Sequence, residues 1–291
     1  MARQSWGFWW RSLQIFIALI LLGYGAIAGL LFLHQRRFIF NPMSAMELTP
    51  EQLNLSTYEE VWIPVENQGK IERLHSWFLP SRYSPWGTVL YLHGKGGNIS
   101  TNIRQAHYFQ KLSFSVLLFD YRGYGRSEGD FPSEGRVYRD AEAAWSYLRE
   151  QRNIPADRIF IYGHSLGGAI AIELATRHPD AAGLIVQNSF TSLVDMSKRL
   201  AHFRLFPINF LLRHRFDSIE KVANLQVPVL YIHGAEDDYV PPQMSQALYA
   251  RSPEPKALFL VPDANHNNGN LFYDNPNYGK KILQFVRQAK N

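Results

Sequence analysis

The sequence predicts an α/β fold: a mostly parallel sheet of eight strands with helices on both faces, preceded by one transmembrane helix. Three observations support this. Short, continuously apolar segments alternate with segments of helical period, which is typical of parallel strands buried on both faces. Ser165, which has a glycine two residues before it and another two residues after it, lies where one such strand meets the next helix. Near the N-terminus, Leu13 to Leu33 contain no charged residue.

The apolar N-terminal segment is 21 residues long, which at helical rise spans a hydrocarbon layer of about 30 Å. We predict a tail at 1–12, a transmembrane helix at 13–33 and a linker at 34–56. Aromatic and basic residues suited to headgroup depth flank the span on both sides. They are Trp6, Phe8, Trp9, Trp10 and Arg11 before it, and His34, Arg36, Arg37 and Phe38 after it.

A cleaved signal peptide is the alternative for this segment. Ala26-Ile27-Ala28 is an acceptable cleavage site, but the apolar run continues through Leu30 to Leu33, which favours a retained anchor. Arg3 and Arg11 with the free amine balance Arg36 and Arg37 across the span. The positive-inside rule therefore leaves open which side of the membrane the domain faces.

The charge of the chain is concentrated near the membrane segment. Of the net charge of +5, four charges come from arginines before residue 38, and residues 47–291 carry only +1. A folded domain without a basic stripe argues against a nucleic-acid partner, whereas arginines beside the span favour acidic lipid headgroups. The absence of cysteine excludes disulfides, thiolate catalysis and zinc–thiolate sites.

One globular domain is predicted from 57 to 291. It opens with a hairpin whose two strands are joined by the turn Glu66 to Gly69. Predicted strands cover 58–65, 73–79, 88–92, 116–119, 158–162, 183–186, 229–232 and 257–261. Predicted helices cover 99–112, 135–151, 168–177, 243–250 and 278–290. Ligands of such sheets bind at the carboxyl ends of the strands.

The pentapeptide Gly163-His164-Ser165-Leu166-Gly167 has the strand–turn–helix context of a nucleophile elbow. We predict Ser165 as the nucleophile. The turn crowds the positions two residues away on either side, so a side chain at 163 or 167 would clash. The backbone N–H of Leu166, at a helix N-terminus, is predicted to donate to a developing oxyanion.

A serine hydroxyl needs a base, and the base needs a carboxylate that fixes its tautomer. Both types follow later strands: Asp237 and Asp238 lie in the loop from His233 to Pro241, and His266 follows the last strand. The chain order Ser, Asp, His is the one expected for this architecture.

From about Tyr58 onward the chain resembles the α/β-hydrolase superfamily. The resemblance lies in His93-Gly94-Lys95-Gly96-Gly97-Asn98, Asp120-Tyr121-Arg122-Gly123-Tyr124-Gly125-Arg126-Ser127, Gly163 to Gly168, His233-Gly234-x-x-Asp237-x-x-Val240-Pro241 and His266. With its N-terminal span, it resembles the branch of single-pass, membrane-anchored serine hydrolases related to lysophospholipases and protein depalmitoylases. The resemblance implies Asp237 as the acid, with Asp238 as the alternative, and the N–H of Lys95 or Gly96 as second oxyanion donor.

Other chemistry is disfavoured. The Lys95 loop lacks the spacing of a phosphate-binding Walker loop, and His93, His233 and His266 lack metal-ligand spacing, so we expect no metal and no cofactor. His93 and His164 are interpreted as packing residues, and Asp120 to Ser127 as a supporting loop without a chemical role. The Lys95 side chain either biases the site toward anionic substrates or reaches solvent.

Residues 191–224 are predicted to form a small lid whose leucines, phenylalanines and cations suit either a lipid surface or an ordinary core cover. With the anchor, the sequence favours a membrane-anchored serine hydrolase acting on carboxylic esters or thioesters of lipids or lipidated molecules. The expected partners are membrane lipids and the acyl substrate. A serine peptidase of the same fold and a catalytically silent, membrane-tethered interaction module are the alternatives.

Overall fold

The computed structural model describes residues 2–55, 57–81, 83, 85–267 and 269–290, without the side chains of 2–8 and 270. Met1, Ser56 and the side chains of Trp6 and Phe8, which the predicted segments include, lie outside this part. The strands are β1 (Asn41–Pro42), β2 (Glu59–Asn67), β3 (Lys70–Leu79), β4 (Thr88–Leu92), β5 (Gly96–Gly97), β6 (Ser115–Phe119), β7 (Ile159–His164), β8 (Gly183–Gln187), β9 (Val229–Gly234) and β10 (Lys256–Val261). The helices are α1 (Ala2–Ile39), α2 (Ile99–Lys111), α3 (Glu134–Ser146), α4 (Leu166–Arg177), α5 (Leu193–Lys198), α6 (Ile208–Leu211), α7 (Ser218–Lys221), α8 (Pro242–Arg251), α9 (Gly269–Tyr273) and α10 (Pro276–Ala289).

One sheet of eight strands organises the domain, in the order β10-β9-β8-β7-β4-β6-β3-β2. Pairing is antiparallel for β2 with β3 and for β3 with β6, and parallel for the other neighbours. The predicted mostly parallel, eight-stranded sheet is confirmed. The opening hairpin is tighter than predicted, because Asn67 pairs with Lys70 and leaves a two-residue turn of Gln68 and Gly69, both at positive φ.

Helices cover both faces of the sheet. Alternate strand residues point to opposite faces, so in β4 Leu90 and Leu92 join one buried cluster while Val89 and Tyr91 join the other. The first cluster contains side chains of α3, α4 and α8, and the second contains those of α2 and α10. The parallel strands therefore end together at one edge, where the loops after them meet.

Two helical segments differ from the sequence-based expectation. The helix predicted to reach residue 151 is α-helical only to Ser146 and continues as a π-helical turn, Tyr147–Gln151. The short helix α9 was not predicted, because five residues are too few for a periodic apolar pattern.

Helix α1 extends beyond the predicted span 13–33 at both ends, so the predicted tail and the start of the predicted linker are helical in the described residues. It ends just before Asn41-Pro42, since proline disfavours helical geometry in the residue before it. Within its stretch Trp9–Ile39, the most apolar window of 18 residues has a mean hydropathy of 2.5 and is not buried against the domain. By length and composition this helix can cross a membrane.

The lid segment 191–224 consists of short helices, α5 to α7, with 3₁₀ turns at Ala201–Leu205 and Val222–Asn224. It packs against α1. The Tyr24 hydroxyl donates to the Leu205 carbonyl at 3.0 Å, and Gln35 Oε1 accepts from the Arg213 N–H at 2.8 Å. Of its apolar side chains, Leu193, Met196 and Leu212 pack on the core, whereas Leu205 and Phe210 are exposed.

Candidate active site

Ser165 sits on a strained turn between β7 and α4, with φ 55° and ψ −120°. A non-glycine residue rarely adopts positive φ, and such strain is typical of functional sites. A Cβ atom at Gly163 would lie 2.2 Å from the Gly167 carbonyl oxygen, and one at Gly167 would lie 2.1 Å from the Leu92 oxygen. The glycines at both positions are therefore required by close backbone approach, as predicted.

Replacing Gly163 by alanine is expected to lower the free energy of unfolding by about 3 kcal/mol or more, because the contacted atoms are backbone and cannot move aside. Urea unfolding in detergent measures this. Gly135→Ala is the matched control, since a Cβ atom there meets only the end of the Arg139 side chain at 3.8 Å. Equal stability of the two variants would contradict the tight turn.

The structure brings together the three side chains that the sequence places at separate strand ends. Ser165 Oγ lies 3.0 Å from His266 Nε2, and His266 Nδ1 lies 2.7 Å from Asp237 Oδ2. All three residues are buried. Because the carboxylate can only accept, Nδ1 carries the ring proton, and Nε2 is free to accept from the serine hydroxyl. Asp238, the alternative acid, is exposed and makes no contact with His266 in the described hydrogen bonds.

The loop around Asp237 keeps its carboxylate ionised. Burial alone would raise the pKa of Asp237, but hydrogen bonds from His233 and His266 and from the Val240 N–H outweigh burial and hold the pKa well below its usual range. Oδ1 also accepts from the N–H of Tyr239 at 3.1 Å. An ionised, fixed acid holds the His266 ring in one tautomer and stabilises its protonated form.

Two residues that support this loop were not assigned this role from the sequence. His233 Nε2 donates to the Val240 carbonyl at 2.8 Å, and its Nδ1 lies 2.6 Å from Ser245 Oγ. Asn188 donates to the His266 carbonyl at 3.2 Å and accepts from the Gly234 N–H at 3.1 Å, thereby joining the acid and histidine loops. An asparagine directly after an apolar strand was the available signal for Asn188.

The predicted oxyanion loop lies beside the nucleophile. A Cβ atom at Gly94 would be 3.4 Å from Ser165 Cβ, so the loop backbone passes close to the serine. Strand β1 pairs in parallel with β5, and the Asn41 N–H donates to the Lys95 carbonyl at 2.9 Å. The Tyr124 hydroxyl donates to the same carbonyl at 2.7 Å. Leu166, whose N–H is the other predicted donor, is the first residue of α4.

A cavity of about 930 Å³ lies over Ser165 and His266. Its wall combines polar side chains, among them Arg104, Gln105 and Gln187, with apolar ones such as Met43 and Phe272. The Lys95 side chain lies at its edge, where its ammonium group donates to the Tyr239 hydroxyl at 2.6 Å, an arrangement that neither sequence-based alternative for this side chain anticipated.

The remaining motif residues have structural surroundings. His93 is buried with its Nδ1 2.8 Å from the Gly94 carbonyl oxygen, and Asp120 accepts from the Ile99 N–H at 2.8 Å. Burial, reinforced by the nearby His266, lowers the pKa of His164 to about 3, so His164 places no cation beside the His266 ring. Within the described residues, no group of three His, Cys, Asp or Glu side chains is arranged to hold a metal ion.

Sequence comparison connects this site to known proteins. Residues 83–218 match the family model described as serine aminopeptidase, S33, and residues 196–290 match that of PhoPQ-activated pathogenicity-related protein. The alpha/beta hydrolase domain-containing protein WAV2 of Arabidopsis thaliana is 31% identical, covering 94% of this chain and 95% of that protein. An uncharacterized protein of Mycobacterium tuberculosis is 37% identical over 96% of this chain and 94% of its own length.

Solved structures share the architecture. An esterase of Pyrococcus furiosus superposes with a TM-score of 0.69 at 21% identity, over 87% of this chain and 98% of the esterase. At that identity the likeness concerns the fold alone. The family assignment comes from WAV2, which is 31% identical over 94% of this chain and is described as an alpha/beta hydrolase domain-containing protein. The chain therefore belongs to the α/β-hydrolase family and is a hydrolase.

Proposed function

We propose that this protein is a membrane-anchored serine hydrolase that cleaves carboxylic ester or thioester bonds, with lipids or lipidated molecules as its substrates. The observation that carries the proposal is the hydrogen-bonded chain from Ser165 Oγ to His266 Nε2, at 3.0 Å, and from His266 Nδ1 to Asp237, at 2.7 Å. This is the arrangement in which a serine hydroxyl becomes nucleophilic at neutral pH.

The reaction follows from these contacts. Ser165 Oγ attacks the carbonyl carbon while His266 Nε2 takes its proton, and the backbone N–H groups of Leu166 and Lys95 stabilise the resulting oxyanion. His266 then gives the proton to the leaving alcohol or thiol, which leaves Ser165 acylated. Water, deprotonated by His266, attacks the acyl-enzyme, releases the carboxylic acid and restores the serine.

The membrane setting rests on α1 and the lid. Helix α1 contains an 18-residue window of mean hydropathy 2.5, and the lid beside it exposes Leu205 and Phe210, at 73% and 87%. Exposed apolar side chains next to such a helix suit contact with acyl chains at a bilayer surface. Substrates carrying a long acyl chain are concentrated at that surface.

The proposal is tested by labelling the protein in detergent with a fluorophosphonate and locating the label by mass spectrometry. We expect a single modified peptide containing Ser165, because only a serine activated by a base reacts readily with this reagent. A panel of matched ester, thioester and amide substrates then defines the bond class. Absence of label on natively folded protein would refute the hydrolase mechanism and leave the silent, membrane-tethered interaction module.

A serine peptidase is the second candidate, favoured by the family model for serine aminopeptidases that matches 83–218. Both reactions would use the same serine, so labelling does not separate them. The amide members of the panel do: turnover of amino-acyl amides above that of matched esters would favour the peptidase.

A further inference from the structure

A second cavity, of about 350 Å³, lies between the C-terminal end of α1 and the lid. Leu31 and Phe38 form its wall on the α1 side, and Met196, Leu200 and Leu211 form its wall on the lid side. Its size is at the low end of the range of about 300–1,000 Å³ for small-ligand pockets. It therefore has room for one slender chain.

The wall of this lid cavity is mainly apolar, and of its charged residues Arg199 and Asp238 are exposed to solvent. The Gln35 amide donates to the carbonyls of Phe32 and Leu211 and accepts from the Arg213 N–H. The Ser197 hydroxyl donates to the Val194 carbonyl at 2.7 Å. Because these polar groups are already engaged within the protein, a ligand gains mainly by burying apolar surface.

The lid cavity adjoins the cavity over Ser165. Lys95 and Tyr239 line both, and their hydrogen bond lies at the boundary between them. Tyr239 also contacts the catalytic imidazole, with 4.9 Å between its ring and that of His266. A substrate whose carbonyl carbon is at Ser165 can thus extend past this pair toward α1.

We propose that the lid cavity binds the apolar acyl chain of the substrate, with α1 forming one wall, while the cavity over Ser165 holds the leaving group. This inference rests on the proposed function. Phe38 lines the cavity and is 62% exposed, so the α1 wall reaches the outer surface of that helix at the predicted headgroup depth. A chain can then enter sideways from the bilayer without first crossing water.

Narrowing the lid cavity tests the assignment. Leu31→Trp places a large ring on its α1 wall, and Leu30→Trp is the matched control, because Leu30 is 58% exposed on the same helix and does not line the cavity. Full-length variants in detergent are assayed with p-nitrophenyl decanoate and p-nitrophenyl acetate, which share a leaving group. We expect Leu31→Trp to lower the decanoate-to-acetate ratio of kcat/KM about tenfold or more, and Leu30→Trp to leave it unchanged.

A second pair of variants, with substitutions in the lid, keeps the test decisive if one variant of the first pair fails to fold. Leu200→Trp narrows the opposite wall, and Ala201→Trp is its control, because Ala201 is exposed in the same lid and does not line the cavity, so the pair is expected to repeat the result. Fluorophosphonate labelling first establishes that each variant is folded. An unchanged ratio in labelled Leu31→Trp and Leu200→Trp, or an equal fall in both controls, would overturn the acyl-chain assignment while leaving the hydrolase proposal intact. Failure of the wild type to label or turn over either ester would instead overturn the proposed function.

Discussion

Replacing Ser165 by alanine is expected to lower kcat about 10⁴- to 10⁶-fold on the best ester substrate. The alanine leaves no oxygen within reach of His266 Nε2, which the serine oxygen approaches to 3.0 Å. A small residual rate over water is expected, because binding and oxyanion stabilisation do not need the hydroxyl. Single-turnover and steady-state assays on purified, detergent-solubilised protein measure the change.

Ser146→Ala is the matched control for this substitution. Ser146 is a half-buried serine at the end of α3 and takes no part in the site. Ser146→Ala is expected to keep wild-type turnover. Both variants are expected to unfold at nearly the same temperature, since removing one hydroxyl group changes the free energy of unfolding little. Turnover of Ser165→Ala above about a tenth of wild type would remove the serine from the mechanism.

Replacing Asp237 by asparagine is expected to cost about 10⁴-fold in kcat while leaving the fold intact. The amide NH₂ can donate to His266 Nδ1, which reverses the ring tautomer and puts the proton on Nε2. An Nε2–H cannot accept the proton of Ser165. The effect is read from kcat and from the rate of fluorophosphonate labelling, both of which depend on the base.

Asp238→Asn separates the acid from its neighbour in the sequence. The Asp238 side chain is exposed, and Arg199 donates to the Asp238 backbone carbonyl at 3.2 Å. We expect the turnover of Asp238→Asn to stay within about threefold of wild type, since solvent screens the effect of an exposed carboxylate on the site. A large loss for Asp238→Asn with a mild one for Asp237→Asn would exchange their roles.

The sheet and the three site side chains could be predicted because their signals are local. Apolar runs define the strands, and the order of the loops after them places Ser165, Asp237 and His266 at one edge of the sheet. The glycines at 163 and 167 make the turn recognisable from the sequence, because no other residue fits against the backbone there.

The parts that were missed depend on contacts between distant segments. Strand β1 is two residues long and pairs with Gly96–Gly97, far along the chain, so no periodic pattern marks it. The packing of Gln35 against the lid backbone joins residues more than 170 positions apart. Loop-to-loop hydrogen bonds of this kind follow from tertiary structure, and polar residues in irregular segments do not disclose their partners.

The linker between α1 and the domain is very short. Phe40 alone separates α1 from β1, and it is buried, with its ring in edge-on contact with Phe216 at 6.1 Å. A long linker would let the distance between the domain and a bilayer vary widely. This short linker fixes the position of Ser165 along the axis of α1. With α1 in a membrane, the thickness of the bilayer would then determine the depth at which a substrate carbonyl group can reach Ser165. Turnover would therefore depend on bilayer thickness.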